Sequence, residues 1–204
     1  MKPGNAHRQG LVSPRIIRAY VAWFCLPLII TAVEWAMKPA TAVAQAAVSK
    51  EYQLKAVFLF NFAQFVQWPE KSFSDTNAPF RIGVLGDDPF DGFLDETVHG
   101  EKVDGHPLMV QRYHDGDDFK DCQILFISRS EGKQAEQVLA DLKGKNILTV
   151  GDVDGFIKNG GVVRFVTEQN KIHLRISPEA AKQANLVISS KILRLSDLVE
   201  PGKD

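Results

Sequence analysis

Apolar side chains recur with a helical period between residues 51 and 69. At about 100° per residue, one broad arc of this segment carries large apolar side chains. They are Tyr52, Leu54, Phe58, Leu59, Phe62, Phe65 and Val66. The opposite face is rich in amide side chains, but Val57 and Phe60 interrupt it where a surface helix would carry charge. The pattern predicts a helix that packs on a core through its main arc and is covered on its other face as well.

Short apolar runs follow this segment, and turn-forming residues such as glycine, proline and aspartate bound most of them. Runs of this length that are apolar at nearly every position are typical of strands buried on both faces of a sheet. The predicted strands are residues 80–85, 107–113, 122–128, 146–150 and 186–188, together with a hairpin formed by residues 162–167 and 171–176.

Residues that cap helices lie between these runs, for example Asp88 before Pro89 and Ser177 before Pro178. Helices are predicted over about 89–98, 130–143, 153–159, 178–185 and 191–199. Buried strands that alternate with helices predict an α/β fold. We expect a single three-layer domain with a mostly parallel sheet flanked by helices. It would be Rossmann-like, without a nucleotide motif, and would have an added N-terminal helix and a late hairpin.

The first residues differ from the rest of the chain. Arginines, an apolar run over residues 20–33 and a stretch of small residues over 40–47 follow one another, which is the layout of a cleaved secretory signal peptide. The apolar run is shorter than the roughly 20 residues that a membrane span needs. The predicted organisation is a signal peptide at residues 1–46, cleaved after Ala44 or Ala46, and one α/β domain at residues 47–204. We therefore expect a periplasmic protein.

Composition narrows the possible functions. The chain has 204 residues and a formal net charge of -1, which is too little positive charge to suggest nucleic-acid binding. Loss of Cys25 with the signal peptide would leave Cys122 as the only thiol, so no intrachain disulfide is expected. Cys122 opens an apolar run, a position typical of a small buried hydrophobic residue.

Candidate chemistry would lie beyond the carboxyl ends of the parallel strands, at residues 86–88, 128–130 and 151–152. The sequence contains neither a glycine-rich phosphate-binding motif nor a nucleophile elbow. The serines and aspartates at these strand ends are typical helix caps. We therefore predict a protein that is not an enzyme, with no catalytic residue, no metal site and no cofactor.

Two sets of residues remain as candidate binding positions. Apolar side chains without an obvious internal use predict a partner or dimer contact, formed by Val57, Phe60, Leu186, Ile188, Leu193 and Leu195. The alternative is a site for a small anionic ligand, formed by Asn61, Arg175, Ser189, Ser190 and Lys191. The sequence leaves both open.

Several segments together resemble the YfiR family of exported bacterial proteins. They are EYQLKAVFLFNF at 51–62, WP at 68–69, VLGDDPF at 84–90, CQILFIS at 122–128, LTVGD at 148–152, GGVVRFV at 160–166 and ISSKILRL at 188–195. The resemblance extends over the whole predicted domain.

This resemblance implies a small periplasmic α/β domain that has no enzymatic activity and forms a homodimer. It implies a partner as well, the periplasmic sensor region of a membrane-bound diguanylate cyclase. Repression of that enzyme would lower cyclic-di-GMP signalling and, with it, biofilm formation. The alternative function is a periplasmic small-ligand-binding module that feeds a membrane sensor such as a histidine kinase. Contact with the membrane would come only through the partner.

Overall fold

The computed structural model describes residues 39–114, 118–119, 121–200 and 203, with side chains described from Lys50 onward. The chain divides into two compact units, Met1–Ala47 and Val48–Asp204, and the second contains the whole sheet. Most of the predicted signal peptide, residues 1–38, lies outside the described residues. Export and the cleavage position therefore remain predictions.

The described residues form five α-helices and ten strands. The helices are α1 (Pro39–Phe65), α2 (Phe93–Val98), α3 (Ala135–Leu142), α4 (Pro178–Gln183) and α5 (Ser190–Leu193). The first five strands are β1 (Val66–Gln67), β2 (Phe80–Leu85), β3 (Lys102–Val103), β4 (His106–Tyr113) and β5 (Ile124–Ile127). The other five are β6 (Leu148–Gly151), β7 (Val163–Glu168), β8 (Lys171–Ile176), β9 (Val187–Ile188) and β10 (Ser196–Leu198). Short 3-10 turns lie at Glu70–Ser72 and Arg129–Glu131.

Eight of the strands form one sheet in the order β10-β8-β7-β6-β5-β2-β4-β3. The pairs β3–β4 and β7–β8 are antiparallel and the other neighbours are parallel. Strands β1 and β9 form a separate antiparallel ribbon. The prediction of a mostly parallel sheet flanked by helices is confirmed.

Helices cover the two faces of the sheet unequally. The larger core joins α1 to one face, where the rings of Phe58 and Phe62 lie 5.9 and 6.1 Å from the ring of Phe165 on β7. The smaller core joins α3 to the opposite face through Leu139 and Leu142. Alternate residues of the central strands belong to the two cores, as expected for strands buried on both faces.

The arc through which α1 packs differs from the predicted one. Leu54 was expected in the core but is 47% exposed. The buried ones among its described side chains are Tyr52, Lys55, Ala56, Leu59, Phe62 and Ala63, followed by Val66 just after the helix. Small alanines let the helix approach the sheet closely, and the helical period then turns Leu54 outward.

Four predicted helices are wrong in part. Helix α3 was expected from residue 130 but begins at Ala135, after the 3-10 turn at Arg129–Glu131. Helix α2 begins only at Phe93, because Asp88 Oδ1 accepts a hydrogen bond from the Phe90 amide at 2.8 Å and so closes a turn before the helix. The helix expected over residues 153–159 is a series of turns, which Gly155 and Gly160 enter at φ 72° and 98°. The C-terminal helix stops at Leu193, and the chain returns to the sheet as β10 beside β8.

The late hairpin was predicted correctly. Strands β7 and β8 pair from Val163 with Ile176 to Glu168 with Lys171. Its two turn residues, Gln169 and Asn170, both have positive φ, at 50° and 60°. This conformation matches the right-handed twist of the flanking strands.

Candidate functional site

Helix α1 crosses the sheet so that the turn containing Tyr52 and Lys55 lies at the carboxyl ends of the parallel strands. The Tyr52 ring contacts Phe90, which follows β2, at a centroid distance of 5.6 Å. Beyond the other end of the helix, Trp68 Nε1 donates a hydrogen bond to the carbonyl oxygen of Gln123, just before β5, at 3.1 Å. Polar residues of α1 therefore lie beside the carboxyl ends of the strands, where the sequence predicted a functional site.

An ion pair buried beneath α1 is the most unusual feature of this edge. Lys55 Nζ lies 2.6 Å from Asp152 Oδ2, and both side chains are fully buried. Asp152 directly follows β6, so the pair joins the helix to the end of a central strand. Lys55 Nζ also lies 2.5 Å from Glu51 Oε1, one helical turn earlier.

Two further side chains complete this buried cluster of Lys55 and Asp152. The Tyr52 hydroxyl donates to Asp152 Oδ2 at 2.8 Å, and Arg129 Nε lies 3.2 Å from the same oxygen. Arg129 is largely exposed and covers the cluster from the solvent side. With Glu51 included, the cluster contains two acidic and two basic side chains and has no formal net charge, which offsets the cost of burying it.

The electrostatics of the cluster favour a structural role. Burial, followed by the negative charge of Asp152, raises the pKa of Tyr52 well above its ordinary range, so the phenol stays protonated and acts as a donor. Lys55 Nζ also lies 4.2 Å from the centroid of the Tyr52 ring. Asp152 Oδ1 is buried and makes no hydrogen bond within the described part of the chain. The cluster holds α1 on the sheet.

Sequence reasoning missed most of this cluster. Asp152 was interpreted as a helix cap, but its oxygen bonds Lys55 and Tyr52 instead. The available signal was Lys55 itself, since it stands three residues after Tyr52 and four before Leu59 on an otherwise apolar arc. A charge at that position requires a buried partner.

A second ionic cluster ties β4 to the β2–α2 connection. Arg112 Nε and Nη2 donate to Asp88 Oδ2 at 2.8 and 2.7 Å, and Arg112 Nη1 donates to Asp95 Oδ1 at 2.7 Å. The hydrogen bonds from Arg112 hold the pKa of Asp95 below its usual range. This cluster is partly exposed and fixes the position of α2.

The predicted contact residues do not all lie at the surface. Val57 is 38% exposed and Leu195 is 74% exposed. Phe60, Ile188 and Leu193 are partly buried and pack against the larger core. Leu186 was expected to contribute to the contact but is buried in its own chain, because Asn185 takes a positive φ of 56° and Leu186 turns back onto α4. The exposed apolar side chains that the prediction omitted are Leu54, Met109, Val187 and Leu198.

The predicted ligand-binding residues are divided between the two faces of the sheet. The Ser189 amide donates a hydrogen bond to the Phe65 carbonyl at 2.9 Å, and Lys191 Nζ lies 5.2 Å from the centroid of the Phe65 ring. Phe65 stands one helical turn after Asn61, so these residues are near one another. Ser190 is the first residue of α5 and is exposed. Arg175 lies on β8 between Leu174 and Ile176, which both face the larger core under α1. Strand alternation therefore directs Arg175 to the opposite face, away from the other four residues.

Among the described residues, no helix has the length and hydropathy that crossing a membrane requires. The same residues contain no group of three or more histidine, cysteine or acidic side chains arranged for a metal ion.

Comparison with known proteins relates this fold to one family. No curated protein is similar enough to count as a relative. A family described as YfiR/HmsC-like matches residues 52–197, from Tyr52 on α1 to the last strand of the sheet. The resemblance noted in the sequence is thereby confirmed. The chain belongs to the YfiR/HmsC-like family, which is a regulatory rather than a catalytic family.

Proposed function

We propose that the protein is exported to the periplasm and represses a membrane-bound diguanylate cyclase by binding its periplasmic sensor region. Membership of the YfiR/HmsC-like family is the observation that carries this proposal, since the family suggests a regulator of diguanylate cyclase signalling. Repression lowers the output of cyclic-di-GMP. In this proposal the regulator itself catalyses no reaction.

The outer surface of α1 is the best-supported contact for such a partner. Leu54 and Val57 lie about one turn apart on that surface and are 47% and 38% exposed. Apolar side chains of this kind favour burial against another protein. Lys55, between them in sequence, anchors the helix to the sheet through Asp152, so the partner meets a surface that is already in place.

Repression follows from a shift between two states of the cyclase. The regulator binds the inactive state of the sensor region more tightly, and the shift is no larger than this difference in affinity. A change from mostly active to mostly inactive enzyme requires a difference of about 10⁴-fold. Two copies of the regulator on a dimeric sensor would reach such a difference more easily, because the second contact is then intramolecular.

Binding of the purified protein to the purified periplasmic sensor regions of the membrane-bound diguanylate cyclases of the same organism tests the proposal. Calorimetry is expected to show saturable binding, and the Leu54→Glu and Val57→Glu variants should each bind at least about tenfold more weakly, because a charge is then desolvated in the contact. Met109→Glu is the matched control, since Met109 is similarly exposed, at 42%, on the edge-side strand β4. Absence of binding by the parent protein would refute the proposal.

A further inference from the structure

A cavity of about 450 Å³ opens at the amino-terminal edge of the sheet, opposite the edge that carries the buried Lys55–Asp152 cluster. Its walls come from the segment after β1, the start of β2, the residues before β5 and the loop that follows α3. A cavity of this size falls within the range of small-molecule sites. It also lies apart from the exposed surface of α1.

Positive charge dominates the lining of this cavity. Lys71, Arg81 and Lys145 contribute three cations, and Asp121 is the only acidic residue among the lining residues. In the described part of the chain, Lys71, Arg81 and Lys145 make no ion pair. The three cations outnumber the single acidic side chain of the lining, so an anion in the cavity would be bound favourably.

Hydrogen bonds hold the walls of the cavity in a fixed arrangement. Gln123, which is 3% exposed, donates through Nε2 to the Ser72 carbonyl at 2.7 Å and accepts at Oε1 from the Arg81 amide at 2.7 Å. One buried side chain therefore ties the Lys71–Ser72 backbone to the strand that carries Arg81. The backbone of these two wall segments is therefore fixed before a ligand binds and loses little freedom on binding.

We infer that this cavity binds a small oxyanion, either a carboxylate or a phosphate, through Arg81 with Lys71 and Lys145. The planar guanidinium of Arg81 provides two parallel donors for an oxyanion, and the two lysines add charge at the rim. This site differs from the anionic site predicted from the sequence around Asn61. It goes beyond the proposed repression of a cyclase and does not depend on it.

Calorimetric titration of the purified protein with inorganic phosphate and, separately, with succinate tests this inference at low ionic strength. At least one anion should bind with one-to-one stoichiometry, and the anion that binds distinguishes phosphate from carboxylate. Arg81→Gln should weaken binding by about ten- to a hundredfold, since hydrogen bonds to charged groups are the strong ones. Lys145→Gln should weaken it by a smaller factor. Lys182→Gln, an exposed lysine of α4 outside the cavity, is the control and should bind as the parent does.

Two results would overturn the inference. One is that neither anion produces a heat of binding at about 10 mM, a concentration that would nearly saturate a site with a dissociation constant of about 1 mM. The other is equal affinity in the parent, Arg81→Gln and Lys145→Gln proteins. If Arg81→Gln lowers the melting temperature, the Lys145→Gln comparison decides alone, because Lys145 is exposed and its side chain supports no described packing.

Discussion

Lys55 shows how a single charged residue organises this domain. Transfer of an ammonium group from water to the interior costs several kcal/mol even after relaxation, and attraction to a well-placed carboxylate offsets that cost. Asp152 and Glu51 supply such carboxylates at 2.6 and 2.5 Å, and the Tyr52 hydroxyl occupies a further position on Asp152. The pair therefore favours one placement of α1, because any shift of the helix would leave both charges buried and unpaired.

Replacement of Lys55 by methionine should destabilise the protein by about 3–5 kcal/mol, because Asp152 then stays buried without its cation. The measurement is the free energy of unfolding in urea. The double variant Lys55→Met with Asp152→Asn removes both charges, and its loss of stability should be clearly smaller than the sum of the two single losses. Additive losses would show that the two residues are not coupled.

Helix and strand boundaries depend on the partners of each element as well as on its own residues. The β2 strand could be predicted to the residue, because Phe80, Ile82 and Val84 alternate along it and face one core, and Leu85 faces the other. The start of α2 could not, since an aspartate before proline suits both a helix cap and the turn that Asp88 forms here. Strand β10 is short and exposed, and only its pairing with β8 makes it a strand.

The candidate site was predictable in its position but not in its residues. The carboxyl edge follows from the alternation of strands and helices, which a single sequence shows. The pairing of Lys55 with Asp152 joins residues 97 positions apart, and no local pattern specifies such a contact. For the same reason, the sequence alone could not show that Arg175 lies on the face of the sheet opposite α1.

The link between α2 and β4 should depend on pH. Arg112 lowers the pKa of Asp95 in the folded state, so the stability that Asp95 contributes is present above its unfolded pKa of about 3.9 and is lost as pH falls through the folded value. Asp95→Asn should therefore cost about 0.5–1 kcal/mol near pH 7, a small amount because the side chain is 47% exposed.

The difference between Asp95→Asn and the parent should shrink as the solution is acidified below about pH 4. Urea unfolding at a series of pH values measures it. Glu101→Gln, which removes an exposed acid outside this cluster, should show no comparable pH dependence. A constant difference between Asp95→Asn and the parent at all pH values would contradict the assignment.

At the scale of the whole molecule, the two edges of the sheet and the outer surface of α1 have separate roles. The carboxyl edge fixes α1 through Lys55 and Asp152, and the amino edge contains the cationic cavity around Arg81. The outer surface of α1 exposes Leu54 and Val57, the proposed contact with a partner. In this proposal the protein contact and the anion-binding cavity lie on separate parts of the domain.

Self-association is expected to use Phe60, which lies one turn after Val57 on α1. Phe60 lies on the polar side of the helix but is partly buried against the larger core, so a second copy of the chain would complete its burial. The Phe60→Glu variant should shift the molecular mass in sedimentation analysis from dimer towards monomer. If the Phe60→Glu variant is as dimeric as the parent, Phe60 is not part of the dimer contact.

Repression of a diguanylate cyclase in cells tests the central claim most directly. The measurement is the cyclic-di-GMP content of cells that produce the cyclase whose sensor region the protein binds, together with the parent protein, the double variant Leu54→Glu with Val57→Glu, or Met109→Glu. We predict that the parent and Met109→Glu proteins lower cyclic-di-GMP and that the double variant, folded and produced at the same level, does not. An unchanged cyclic-di-GMP content in the presence of the parent protein would contradict the claim.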